Sequence, residues 1–198
     1  LPEFDLVSVP SEYIKNIFPD LKNIKLQYHG INKKIFDDCK ENPFNFKDKI
    51  NAVFVGVSNF DYDFLSKASK LFPEWGFHIV GPIRKTFERE NIYYHGEIDY
   101  LETVPLIKYS DIALQNIKYK KGVESFTDSL KVLQYSYCRL PIVATDFLKT
   151  NRKNIFYYKE GNEKSIYDAM TGAMNFSREE FNNTDIYSWE DLAKKLME

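Results

Sequence analysis

The sequence predicts a doubly wound α/β fold built on a parallel sheet, on two observations. Short apolar runs recur at 52–57, 77–81, 91–95, 111–114, 141–145 and 154–158. Most are continuously apolar rather than alternating, as strands buried on both faces are. Between them lie amphipathic stretches at about 61–72, 99–109, 127–138 and 163–175. In the last, Ile166, Ala169, Met170 and Ala173 fall at i, i+3, i+4 and i+7, a buried helical stripe. Strand and helix in alternation give a parallel sheet with helices on its faces. Such sheets take ligands at the carboxyl ends of their strands and at helix N-termini.

The first 49 residues differ from the rest. Residues 5–9 and 24–28 read as strands with a short helix near 11–18 between them. His29-Gly30-Ile31-Asn32 reads as a hinge turn, and the polar stretch 40–49, with Pro43, as a connector. Two units are expected: 1–49, the end of a preceding domain and its linker, and 50–198, the main α/β domain.

Composition removes several functions. Twenty-seven basic residues against 29 acidic ones leave no global basic field, so a nucleic-acid partner is not expected. Cys39 and Cys138 form no CxxC pair, and His29, His78 and His95 show no ligand spacing, so no metal centre is expected. The cysteine usage suits a reducing cytoplasmic compartment. No apolar run approaches the roughly 18 residues of a membrane span. The chain opens at Leu1 rather than Met, and an upstream portion is expected.

The segment 128–146, DSLKVLQYSYCRLPIVATD, carries the chemistry. It reads as a helix, Leu140-Pro141, then a buried strand. Lys131 and Gln134 are three apart and share a helix face. The start of that helix offers unpaired amides and the positive end of a dipole, which suit phosphate. Lys131 adds a point charge. Gln134 can donate and accept, which suits vicinal sugar hydroxyls. The bland alternative is an amphipathic helix with both side chains solvated.

The pattern Ser129-x-Lys131-x-x-Gln134-Tyr135 followed by Leu140-Pro141-Ile142-Val143-Ala144 resembles the donor-site helix of two-domain (GT-B) glycosyltransferases. The Gln form is most similar to bacterial glucuronosyltransferases of the xanthan pathway. Phe54-Val55-Gly56 with Asn59-Phe60-Asp61, Leu71-Phe72-Pro73 with His78-Ile79-Val80-Gly81, Gly96-Glu97 with Val104-Pro105 and Ile107-Lys108, and Ser188-Trp189 resemble further segments in order over 50–198. The resemblance implies a Rossmann-like donor-binding domain for a nucleotide-diphosphate sugar, commonly UDP-linked, with glucuronate suggested. It implies that Lys131 binds the diphosphate and Gln134 the ribose. Ser129 and Leu130 would line the pocket through their backbones. Gly56 would let its loop approach the donor, with Ser58 nearby. No cofactor or metal is implied. The catalytic base and the acceptor site, for a glycan or lipid-linked acceptor in exopolysaccharide synthesis, would lie in a missing N-terminal domain. Peripheral contact with the inner membrane belongs to the same expectation. The sequence departs from the pattern at Gln115-Asn116, where an aromatic or Pro-Tyr pair is usual, and at Arg139, where Gly is usual.

Other candidates read more plainly. Asp61-x-Asp63 suits helix capping better than a metal. Asp128 is expected to cap the donor helix, because a carboxylate facing a diphosphate would repel it. Glu124 is a loop charge within reach of a donor hydroxyl. His95 and His29 read as packed or surface residues. Lys118 to Lys121 form a solvated basic loop. Two competing functions stay open: a non-catalytic nucleotide-binding module, favoured by Gln115-Asn116 and Arg139, and a flavodoxin-like regulatory domain, which leaves the Lys131 helix unexplained.

Overall fold

The computed structural model describes residues 3–44 and 48–197. Of the connector expected at 40–49, residues 45–47 lie outside the described residues. Two sheets are present among the described residues. Strands β1 (Val7–Val9) and β2 (Ile24–Leu26) pair in parallel, joined by helix α1 (Glu12–Asn16), whose N-cap Ser11 accepts from Ile14 N. The main sheet holds β3 (Ile50–Val55), β4 (Trp75–Val80), β5 (Ile92–Gly96), β6 (Ile112–Gln115), β7 (Ile142–Thr145) and β8 (Ile155–Tyr158). Its order is β5-β4-β3-β6-β7-β8 and every pairing is parallel. The order reverses between β3 and β6, which is where open α/β sheets carry their ligand crevice.

The apolar runs form these strands because both faces are covered. Phe54, Phe77 and Ile79 meet α3 (Tyr62–Leu71) and α6 (Glu163–Met174) on one side through Phe64, Leu65, Ile166 and Met170. Val53, Val80 and Ile142 meet α4 (Tyr100–Lys108) and α5 (Leu130–Tyr137) on the other through Val104, Ile107, Val132 and Tyr135. Burying a Leu- or Phe-sized side chain contributes about 1.5–3 kcal/mol, so the two cores are the main source of stability. Helix α7 (Trp189–Met197) begins at the expected Ser188-Trp189, and Ser188 accepts from Asp191 N.

One helix was not expected. Helix α2 (Lys33–Asp38) occupies residues between the hinge turn and the connector. It forms because Phe36 is buried against α4, and because Lys108 Nζ on α4 donates to the Phe36 and Cys39 carbonyls at its end. This capping comes from 70 residues away in sequence and leaves no local signal. The hinge turn is fixed by close contact: a Cβ on Gly30 would lie 2.8 Å from Trp189 Cα. Ile31 bridges to Ser188 and joins Leu133 and Ile186 in a small cluster.

Candidate functional site

The carboxyl ends of β3, β4 and β5 are drawn together by backbone bonds. Gly56 N donates to Val80 O at 3.0 Å, and Gly81 N to Gly96 O at 2.7 Å. Gly81 has φ +122°, and a Cβ there would sit 1.9 Å from Gly56 O. Only glycine permits that approach. It leaves the loop after β3 flat against its neighbours and beside the start of α5.

Helix α5 follows a 3-10 turn, Val123–Phe126, whose preceding Gly122 is left-handed. The turn is organised by Glu124, which accepts from Gly122 N at 2.9 Å and from Tyr119 Oη at 3.1 Å. Glu124 thus holds its own loop. Ser129, not Asp128, is the residue before the first helical turn, and its hydroxyl caps nothing: Ser129 Oγ is buried with no hydrogen-bond partner among the described residues. The first helical bond of α5 runs from Leu133 N to Ser129 O. The Leu130, Lys131 and Val132 amides lie ahead of it, as at every helix start.

Asp128 corrects its expected role. It accepts from Arg152 Nε at 2.9 Å, and both side chains are 9% exposed. Arg152 also reaches Asp185 and stacks over Tyr28. The Asp128 carboxylate is therefore engaged by a guanidinium. The sequence hides this because Arg152 lies 24 residues on, in the β7–β8 loop.

Neither side chain of the Lys131 and Gln134 pair stands free in solvent: Lys131 is half-buried and Gln134 is buried. The Lys131 ammonium rests 4.4 Å from the Phe54 ring centroid and has no carboxylate partner among the described residues. A Cβ on Gly56 would come within 3.1 Å of Lys131 Nζ, so those two predicted residues are brought into contact. Burial pushes the Lys131 pKa down to about 7. Desolvation disfavours the charged form, and the aromatic face offsets little of it. Gln134 is 4% exposed, and its Nε2 donates to Tyr100 Oη on α4 at 2.9 Å. Leu130 is exposed at the rim. Ser58 is exposed in the loop after Gly56, and no hydrogen bond ties it to the others.

The departures have structural reasons. Arg139 lies in the left-handed region, φ +56°, where the chain leaves α5. Arg139 N bonds Ser136 O and Leu140 N bonds Tyr135 O, the paired closure that ordinarily selects glycine. Gln115 and Asn116 are buried. Asn116 O accepts from Asp61 N and so fixes the loop that starts α3. Asp61 caps α3 through Asp63 N and Phe64 N, and takes a third bond from Tyr158 Oη. His78 is buried, bonded to His95 and Asn51, away from these residues.

Two cavities flank the approach. One of about 330 Å³ lies between Ser11–Tyr13 and Glu124, Thr127 and Asp128. The larger, about 650 Å³, lies beside Arg152, Phe176 and Phe181. Neither is lined by Lys131 or Gln134. No helix among the described residues is long and apolar enough to cross a membrane.

No family model matches the chain. Over its full length the chain is 26% identical to UDP-glucuronate:glycolipid 2-beta-glucuronosyltransferase of Xanthomonas campestris pv. campestris, and it spans 49% of that protein. Its fold is similar to that of the Anabaena protein HepE, solved in complex with UDP and glucose. That match has TM-score 0.70 at 11% identity, over 98% of this chain and 62% of HepE. The C-terminal domain of a glycosyl transferase group 1 family protein from Francisella tularensis matches with TM-score 0.51 at 14% identity. There, 85% of this chain covers 99% of the domain. The chain thus resembles the C-terminal part of a glucuronosyltransferase, and its fold is the one found in GT-B glycosyltransferases.

Proposed function

We propose that this chain is the donor-binding half of a glycosyltransferase that takes its sugar from a UDP-linked donor. The observation that carries the reading is Lys131: an ammonium without a carboxylate among the described residues, over the Phe54 ring and beside Gly56, at the start of α5. A diphosphate seated on the first amides of α5 would supply the missing partner to Lys131. Gln134, three residues on, stands where the ribose would follow. Leu130 and the Gly56–Ser58 loop would border the nucleotide. UDP and glucose in HepE and the UDP-glucuronate named for the Xanthomonas relative favour this choice of ligand.

In such a transfer an acceptor hydroxyl attacks the anomeric carbon, the bond from that carbon to the diphosphate breaks, and UDP leaves with the electron pair. Lys131 and the helix-end amides would stabilise the growing negative charge on the leaving diphosphate. The base that takes the acceptor proton, and the acceptor site itself, belong in our reading to a preceding domain, with residues 1–49 as its last strands and the linker. The chain spans about half of the curated relative, which supports this division. Glucuronate as the sugar, a lipid-linked or glycan acceptor in exopolysaccharide synthesis, an inverting outcome and a cytoplasmic site at the inner membrane complete the reading. A purely regulatory module would leave the unpartnered Lys131 without a purpose.

Calorimetric titration of UDP into this chain tests the proposal. Saturable binding is expected, weakened roughly 100-fold in Lys131→Ala, because hydrogen bonds to charged groups contribute about 1.5–3 kcal/mol. Equal affinity in the two proteins would refute it.

A further inference from the structure

Gln134 offers a ligand two different atoms, and the protein has already used one. Its Nε2 donates to Tyr100 Oη at 2.9 Å. Its Oε1 has no hydrogen bond among the described residues and is not one of the sealed, unpartnered atoms of the interior. The side chain is otherwise buried, at 4% exposure, so the amide has little freedom to turn. Tyr100 is the first residue of α4, a helix whose start is fixed by the reciprocal bonds of Asp99 and Glu102. Tyr100 is therefore held by one helix and reaches across to a side chain on another. Half of its surface stays exposed.

We infer that Tyr100 is a positioning residue of the donor site: by engaging the Gln134 amide nitrogen, it leaves the carbonyl oxygen to accept from a ribose hydroxyl. This rests on the donor-site reading above. An unanchored glutamine presents nitrogen or oxygen with equal ease, and a ribose diol can satisfy either. In the arrangement the structure shows, the nitrogen end is the anchored one and the carbonyl oxygen is the free acceptor. The phenol oxygen that accepts from Nε2 keeps its own proton. Burial raises the Tyr100 pKa, which keeps that proton in place.

The test titrates UDP and 2′,3′-dideoxy-UDP into the wild-type chain, Tyr100→Phe, Gln134→Ala and the double variant, with Lys131→Ala as reference. The wild type should prefer UDP. Tyr100→Phe should weaken UDP about 3–10-fold, the scale of one hydrogen bond, and leave the dideoxy nucleotide unchanged. It should add nothing on the Gln134→Ala background. On Gln134→Glu, where both terminal atoms are oxygens and there is no orientation to set, Tyr100→Phe should cost less than in the wild type. Equal losses for both nucleotides, or no loss, overturn the role of Tyr100. Failure of the wild type to bind UDP, or unaltered binding by Lys131→Ala, overturns the donor-site reading and this inference with it.

Discussion

At its C-terminal end, helix α5 has a partner for every carbonyl of its last turn. Gln134 O, Tyr135 O and Ser136 O accept from Cys138 N, Leu140 N and Arg139 N. Tyr137 O and Cys138 O accept from Asn183 Nδ2 and Arg178 Nη2, and beyond them Leu140 O accepts from Asn154 Nδ2. At its N-terminal end the same helix leaves the Ser129 hydroxyl buried and unbonded and the Lys131 ammonium crowded but unpaired. Buried polar groups are satisfied in nearly all native structures, so the contrast within one eight-residue helix is informative. The carbonyls at the C-terminal end are closed by the protein, whereas the Lys131 ammonium at the N-terminal end has no carboxylate partner among the described residues.

That contrast can be broken by substitution at either end. The largest effect is expected at the finished end. Asn154→Ala removes the donor to Leu140 O and Ser136 Oγ in a fully buried position. It should destabilise the fold by about 2–3 kcal/mol in chemical denaturation, the cost of leaving a buried acceptor unpaired, with UDP affinity unchanged. At the unfinished end, Lys131→Met should act in the opposite direction and raise the unfolding free energy by roughly 1–3 kcal/mol at neutral pH, because it removes a desolvated ammonium while keeping the apolar stem. The pH dependence has a definite sign. The folded-state pKa of Lys131, about 7, lies below its ordinary 10.5. The folded protein therefore binds fewer protons than the unfolded chain between those values. The wild type should gain stability as pH rises through that window, the cost being full below pH 7, and the variant should lose that slope. The smallest effect is expected at Arg139. Arg139→Gly relieves a left-handed residue at the helix exit and should stabilise by about 1 kcal/mol, read as a higher melting temperature.

The same helix shows how far the sequence could be read. Continuous apolar runs such as Ala52–Val55 and Ile142–Thr145 declare buried parallel strands, because each residue must meet a covered face. The shared helix face of Lys131 and Gln134 was legible from their spacing, whereas Gly56 came in only with the family resemblance. The partners that decide their chemistry were not legible. Phe54 lies under Lys131, Tyr100 holds Gln134, and Arg152 pairs with Asp128, each from a different element. Nothing periodic links such residues; only the fold brings them together. Helix α2 was missed for the same reason, since its closing bonds come from Lys108.

The most direct measurement is the proton balance of UDP binding to this chain at pH 8, by calorimetry in two buffers of different ionisation enthalpy. The phosphates are already ionised at that pH, with a second pKa near 6, so any proton must go to the protein. A Lys131 that is largely neutral when free and charged against a diphosphate should take up close to one proton per UDP, and Lys131→Met should take up none. Binding without proton uptake, or equal uptake by the variant, would contradict the assignment of Lys131 as the diphosphate anchor.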